Sequence, residues 1–183
     1  NACALLDIGI EWIYPDDEQS YIACNITAQQ ISERLAGQNG RITAVYITSP
    51  DYLGNMQDIA AIARACHESG ALLSVDNAHG AYLKFMPTPT HPMDLGADIC
   101  CDSAHKTLGV ITGGAYLHIS ASAPAVLAER AKASFSVFGT SSPSYLILQS
   151  LDAANGTTEA FRNELRTFLP EADSLKAKLA AHG

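Results

Sequence analysis

Short apolar runs alternate along this chain with segments in which apolar residues recur every three or four positions. Each run is bounded by glycine, proline or polar residues, which is typical of strands buried inside a sheet. These predicted strands are RITAVYIT (41–48), ALLSVD (71–76), DICCDS (98–103) and GAYLHIS (114–120). EWIYP (11–15) is predicted as a further strand that ends at its proline.

The segments between the strands carry helix signals. Thr27 and Gln30 have the form of a capping box, and Asn55 is predicted to cap the next helix, which Gly70 would end. Ser142, with proline after it, is predicted to start a later helix. Further helices are expected at 91–98, 123–133 and 158–181.

Strands that alternate with helices in this way predict an α/β fold, a three-layer sandwich with a mostly parallel sheet. A chain of 183 residues can bury a core of its own. We divide it into one large domain, residues 1–156, and a long helix, residues 157–183, that Pro170 is expected to kink or interrupt.

Charge and composition disfavour several classes of partner. The net charge is −8, from 11 basic and 19 acidic residues, which disfavours nonspecific binding to nucleic acids or anionic membranes. No apolar run approaches the roughly 20 residues that span a bilayer, and the first residues lack a signal-peptide pattern. The five cysteines fit no zinc module, so we expect buried thiols, no metal site and a cytoplasmic protein.

The candidate chemistry lies at two predicted strand ends. Asp76 ends one strand and Lys106 follows the next, and ligands of parallel sheets bind outside such carboxyl ends. A carboxylate that keeps a ring nitrogen protonated and an amine that forms an imine are what a pyridoxal 5'-phosphate site requires. Ser103 and His105 are suited to hold the phosphate through hydroxyl and imidazole donors.

Each of these residues also has an ordinary interpretation. Asp76 could be a structural aspartate held by backbone amides, or a metal ligand. His79 could donate to the ring oxygen of the cofactor, to a substrate carboxylate or to Asp76 itself. Lys106 could be a solvated loop lysine, although the apolar residues after it favour a sheltered setting. The hydroxyl-rich stretch 140–142 is either an anion-binding helix start or a simple cap.

Together these motifs resemble fold-type-I pyridoxal phosphate enzymes, and among them the Orn/Lys/Arg decarboxylase family of the aminotransferase superfamily. The resemblance covers residues 41 to 154 in matching order and spacing. It implies that residues 1–156 are part of an aminotransferase-like large domain and that the last helix leads toward a small domain. The segments are YITSPDYLGNMQDIAAIARACHESGALLSVDNAHGAYL (46–83), GADICCDSAHKTLGVITGGAYLHI (96–119) and FGTSSPSYLILQSLDAA (138–154).

The resemblance implies a role for each matching position. Lys106 would be the Schiff-base lysine, Asp76 the partner of the pyridine nitrogen, and His79 a neighbour of ring and substrate. His105 or Lys106 would be the general acid. The other implied contacts within the site are Ala78 on the ring face, Ser103 and His105 at the phosphate, and Tyr52 near the site mouth. The resemblance also implies a homodimer or larger homo-oligomer, in which Thr140 and Ser141 would reach the cofactor of a neighbouring subunit.

The implied activity is decarboxylation of an ornithine-, lysine- or arginine-type amino acid. An aminotransferase or a β-eliminating lyase would use the same Asp76 and Lys106, and an inactive truncated domain is a further alternative. A hydrolase or metal enzyme built on Asp76 and His79 would lack a nucleophile-elbow serine and a second ligand cluster. Asn77 stands where these decarboxylases often carry glutamate, which leaves the substrate open. We expect the chain to be a piece of a longer protein, because the family's phosphate loop and small domain are absent from it.

Overall fold

The computed structural model of the chain is built around a four-stranded sheet, and it describes residues 2–15, 22, 25–38, 40–139 and 142–182. The strands are β1 (Ala44–Thr48), β2 (Leu72–Asp76), β3 (Ile99–Asp102) and β4 (Tyr116–Ile119). The helices are α1 (Ala2–Leu5), α2 (Ala28–Leu35), α3 (Ile59–Glu68), α4 (Ala104–Thr107), α5 (Ala125–Phe138), α6 (Tyr145–Gly156) and α7 (Thr158–His182). Two 3₁₀ helices, Ala81–Phe85 and Pro92–Asp94, follow β2.

The strands lie in the order β1-β2-β3-β4. The first three are parallel, and β4 returns antiparallel to β3. The register pairs Thr48 with Asp76 and Asp76 with Cys101, so β1, β2 and β3 end at the same edge. The predicted α/β fold with a mostly parallel sheet is therefore confirmed.

The hydrophobic core lies on one face of the sheet, against α2 and α3. Ile62, Cys66 and Leu73 are completely buried there, and Val75 and Ile31 nearly so. Fully burying a leucine or isoleucine side chain stabilises the fold by about 1.5–3 kcal/mol. This packed face therefore holds β1 and β2 rigidly behind the strand ends.

The opposite face of the sheet is more open among the described residues. Tyr46 is 68% exposed and Leu117 is 38% exposed. The alternation of side chains along β3 places Cys100 on the packed face and Cys101 on the open one. The expectation of buried thiols is thus confirmed for Cys66 and Cys100 but wrong for Cys101, which is exposed, and for Cys3, which is only half-buried; Cys24 lies outside the described residues.

The capping box that starts α2 is confirmed, because the Thr27 side chain accepts from the Gln30 backbone and the Gln30 side chain accepts from the Thr27 backbone. The predicted cap of α3 is wrong. Asp58 caps that helix by accepting from the Ala61 N–H, whereas the Asn55 side chain donates to Asp51.

Three other elements differ from their predictions. Residues 11–15 form irregular chain, because no strand of the described residues lies beside them to complete a ladder. The cap of α6 is Ser144, two residues later than Ser142, so proline precedes the helix. Helix α7 continues through Pro170 without a break. The division of the chain at residue 156 coincides with the turn between α6 and α7, and it stays a prediction.

Among the helices of the described residues, none combines the length and the apolar character that crossing a membrane requires.

Candidate active site

The candidate site lies at the edge where β2 and β3 end. Asp76 is the last residue of β2, and its register partner on β3 is Cys101. Ser103 follows two residues later as the N-cap of α4, which carries His105 and Lys106. Neighbouring strands lie about 4.8 Å apart, so this register brings Asp76 and the α4 segment to one edge of the sheet.

Both carboxylate oxygens of Asp76 accept hydrogen bonds. The Ala78 N–H donates to Oδ1 at 3.0 Å, and the Tyr46 hydroxyl donates to Oδ2, also at 3.0 Å. Partial burial and the neighbouring Asp76 carboxylate raise the pKa of Tyr46 to about 12, so the phenol keeps its proton at neutral pH. Sequence reasoning missed Tyr46, because finding it requires knowing that β1 lies beside β2 with this register.

His79 lies half-buried three residues after Asp76. Its ring packs edge-on against Tyr52, with ring centroids 4.9 Å apart. Its Nδ1 atom is buried and has no hydrogen-bond partner in the described part of the chain. Of the three predicted contacts of His79, the one with Asp76 is therefore not observed. A buried ring nitrogen without a partner is costly, and a bound ligand would satisfy it.

The residues of α4 differ in how firmly they are held. The Ser103 hydroxyl makes no capping bond. His105 donates from Nδ1 to the Gly114 carbonyl at 3.0 Å, which leaves Nε2 as its remaining polar atom. Lys106 is exposed, and so is Ile111, so the expected apolar shelter around the lysine is wrong.

Of the four other predicted contact residues, two are among the described residues and two are not. Ala78 is half-buried beside Asp76, and Tyr52 is exposed, so the roles that the resemblance implies for them stay predictions. Thr140 and Ser141, the predicted contacts to a neighbouring subunit, lie outside the described residues.

A buried polar network lies directly behind the site, on the packed face. Asp102, 3% exposed, accepts from Nε2 of His91 at 3.0 Å and from Nε2 of His118 at 2.9 Å through one oxygen. Its other oxygen accepts from the Asn77 amide at 2.6 Å. Burial alone would raise the pKa of Asp102, but the hydrogen bonds from His118, His91 and Asn77 outweigh it and hold the pKa well below its usual range.

This network changes the interpretation of Asn77, and the sequence analysis missed it. Asn77 is completely buried, and its amide bonds Asp102, whereas Asp76 on the other face bonds Tyr46. Asn77 therefore contributes to the packed side behind the strand ends, on the face opposite to the Asp76 carboxylate. The missed signal is the alternation of successive side chains between the two faces of a strand.

Three members of this region have the chemistry of metal ligands. Ligand atoms of His91, Cys100 and Asp102 all lie within 4.8 Å of one another. The Met93 N–H donates to Nδ1 of His91, which leaves the proton of the neutral ring on Nε2, where it points to Asp102. Burial and the Asp102 carboxylate raise the pKa of the Cys100 thiol far above its usual range. Metal binding needs a bare nitrogen and a thiolate, so hydrogen bonding accounts for this cluster better.

A cavity of about 170 Å³ also lies on the packed face. Its walls include Phe85, Phe161, Tyr116, His118 and Asp102. They do not include Asp76 or Lys106, so this cavity is not the candidate cofactor site. At the candidate edge itself, Asp76 is half-buried and Lys106 is exposed.

The residues at this edge fit the chemistry of pyridoxal 5'-phosphate. Asp76 offers a carboxylate held in place by two donors, as a protonated pyridine nitrogen requires. Lys106 offers an exposed amine, and Ser103 an uncommitted hydroxyl. The unpaired Nδ1 of His79 is a further polar atom for a ligand.

Comparison with known proteins agrees with this chemistry. Residues 4–181 match the family described as Orn/Lys/Arg decarboxylase, major domain. The chain is 33% identical over 174 residues to the uncharacterized protein YaaO of Bacillus subtilis, covering 92% of this chain and 36% of that protein. It is 31% identical over 145 residues to an arginine decarboxylase of Halalkalibacterium halodurans, covering 78% and 29% respectively. The chain thus spans about a third of the length of these relatives.

Solved structures share the fold. A complex of SepCysS with the N-terminal domain of SepCysE superposes with a TM-score of 0.68 at 15% identity, covering 100% of this chain and 49% of that one. A NifS-like protein from Rickettsia africae has a TM-score of 0.61 at 22% identity, covering 87% and 45%. At these identities the likeness shows the fold alone, and it confirms the predicted aminotransferase-like architecture.

The family match covers nearly the whole chain. The family implies pyridoxal 5'-phosphate as the cofactor. The chain therefore belongs to the Orn/Lys/Arg decarboxylase major-domain family.

Proposed function

We propose that this chain belongs to a pyridoxal phosphate-dependent carboxy-lyase that acts on a basic amino acid, with Lys106 as the residue that binds the cofactor covalently. The observation that carries the proposal is the register of β2 and β3, which brings Asp76 to the edge where α4 presents Lys106. Relatives named arginine decarboxylase, 31% and 30% identical to this chain, favour arginine among the basic amino acids.

When bound, pyridoxal 5'-phosphate supplies an electron sink for the electron pair that remains on the substrate carbon after carbon dioxide leaves. The negative charge of Asp76 would keep the ring nitrogen protonated, and the Tyr46 hydroxyl and the Ala78 N–H hold the carboxylate in one orientation. The exposed Lys106 amine is free to attach the cofactor and to give way to a substrate amine.

The remaining residues would bind the phosphate or protonate the substrate. The Ser103 hydroxyl and Nε2 of His105 would hold the phosphate. Since Nδ1 of His105 already donates to Gly114, Nε2 can donate to a phosphate oxygen only when the ring is protonated. His105 or Lys106 would return a proton to the substrate carbon. His79 would contact the ring or the substrate, with its unpaired Nδ1 available for either.

The proposal also includes the oligomeric state and the cellular location of the enzyme. We infer a homodimer or larger homo-oligomer, in which Thr140 and Ser141 would reach a neighbouring subunit's site. We also infer a cytoplasmic protein, since the four described cysteines are free thiols. An aminotransferase or a β-elimination lyase would use the same Asp76 and Lys106, and the arginine decarboxylase relatives favour decarboxylation over both.

The test is a visible absorption spectrum of the purified chain with added pyridoxal 5'-phosphate. We expect a new band in the wild type and in Lys132→Ala, which removes an exposed lysine of α5. Lys106→Ala should lack the band. After borohydride reduction and digestion, the cofactor mass should lie on the Lys106 peptide. A band that persists in Lys106→Ala, or no band in any variant, would contradict the proposal for this chain.

A further inference from the structure

We propose that Tyr46 is a positioning residue that sets how strongly Asp76 holds the proton on the cofactor's ring nitrogen. This inference rests on the proposed function. It concerns a residue of β1 that the motifs around Asp76 and Lys106 do not contain.

The position of Tyr46 follows from the register of two rigid strands. Tyr46 pairs with Ser74 of β2, and Asp76 lies two residues further along β2 on the same face. The Tyr46 ring therefore extends along the open face toward the strand end, where its hydroxyl lies 3.0 Å from Oδ2 of Asp76. The Ala78 N–H occupies Oδ1, so Oδ2 and Tyr46 determine how freely the carboxylate can turn.

The charges around the phenol favour its role as donor. The titratable groups that act on it are Asp76 of β2 and Cys101 of β3. Partial burial, the Asp76 charge and the hydrogen bond to Asp76 raise the pKa of Tyr46 to about 12. Tyr46 is 68% exposed, and its hydroxyl is held by the hydrogen bond to Asp76. Tyr46 thus donates to Asp76 throughout the neutral range.

A donor on Oδ2 makes the carboxylate a weaker base. Removing it would let Asp76 pair more strongly with a protonated ring nitrogen, and a more positive ring draws electrons from the group attached at Lys106. The Lys106 nitrogen that carries the cofactor would then lose its proton at a lower pH. The pH midpoint of the visible band therefore reports on Tyr46 even when the amount of bound cofactor stays the same.

The first experiment needs no cofactor. The chain is labelled with ¹³Cζ-tyrosine, the Tyr46 signal is assigned with Tyr46→Phe, and its ionisation is followed by NMR in wild type and Asp76→Asn. At about pH 11 the ionised fraction of Tyr46 should rise several-fold in Asp76→Asn, since charge repulsion and the acceptor are both lost. Tyr145, an exposed residue of α6, serves as the internal control. An unchanged Tyr46 titration would overturn the proposal.

The second experiment uses the cofactor-loaded chain. Tyr46→Phe should move the midpoint of the visible band down by about half a pH unit or more, since a hydrogen bond to a charged group is worth on the order of one unit. Tyr145→Phe should leave it in place. In the Asp76→Asn background, Tyr46→Phe should have no further effect, which a merely structural role would not produce.

The outcomes separate the two proposals. A wild-type band with the same midpoint in Tyr46→Phe overturns the role of Tyr46 alone. If the wild type forms no band with the cofactor, the proposed function fails and this inference fails with it.

Discussion

Replacing Asp102 by asparagine tests whether the buried network supports the strand ends of the site. The substitution keeps the shape and still lets an oxygen accept from the Asn77 amide. It removes the charge and turns an amide N–H toward His91 and His118, whose Nε2 atoms now lie 3.0 and 2.9 Å from Asp102 Oδ2. His91 cannot readily change tautomer, because its Nδ1 accepts from the Met93 N–H.

The expected cost follows from these contacts. A hydrogen bond to a charged group contributes about 1.5–3 kcal/mol, and breaking a buried charged pair costs about 3–5 kcal/mol. The His118 side chain is 38% exposed, so its bond counts for less, and we expect Asp102→Asn to cost about 3 kcal/mol. For a chain of this size that corresponds to a fall in Tm of about 6–12 °C.

The assay is urea unfolding followed by circular dichroism, with Asp173→Asn on the exposed side of α7 as control. The folded-state pKa of Asp102 is lowered, so its stabilising effect is present above the unfolded-state pKa of about 3.9 and is lost as the pH falls below it. The difference between wild type and Asp102→Asn should therefore be present at neutral pH and shrink below about pH 4. A cost below about 0.5 kcal/mol at pH 7, or a difference that does not change in acid, would refute the reasoning.

Two further substitutions test other parts of the structure. Asn77→Glu would place a second carboxylate against Asp102 at a completely buried position, and it should cost at least about 3 kcal/mol in urea unfolding, whereas Asn163→Glu on exposed α7 should be nearly neutral. An equally stable Asn77→Glu would show that this buried position can accommodate a second carboxylate beside Asp102, contrary to the reasoning. Pro170→Ala should increase helicity at 222 nm, since proline inside a helix costs about 3 kcal/mol relative to alanine, and Glu171→Ala should not. No gain in helicity would mean that α7 does not form in solution as described.

Local sequence patterns predicted the elements that depend on neighbouring residues. The capping box of α2 needs only Thr27 and Gln30, and the apolar runs of β1 to β3 needed no knowledge of their partners. The placement of Asp76 and Lys106 at the same edge of the sheet was also predictable, because the carboxyl ends of parallel strands lie at one edge. Residues 11–15 failed as a strand because a β-branched, aromatic-rich segment forms a strand only beside another strand.

The support of the site depends on contacts that join distant parts of the chain. Tyr46 and Asp76 are 30 residues apart, and Asn77 and Asp102 are 25 residues apart. Strand order and register decide which side chains meet across such separations, and a single strand carries no information about either. The amino-acid sequence thus specified the chemistry at the strand ends and the family. The folded chain specified which groups hold that chemistry in place and left Lys106 exposed, because burial depends on which elements pack together.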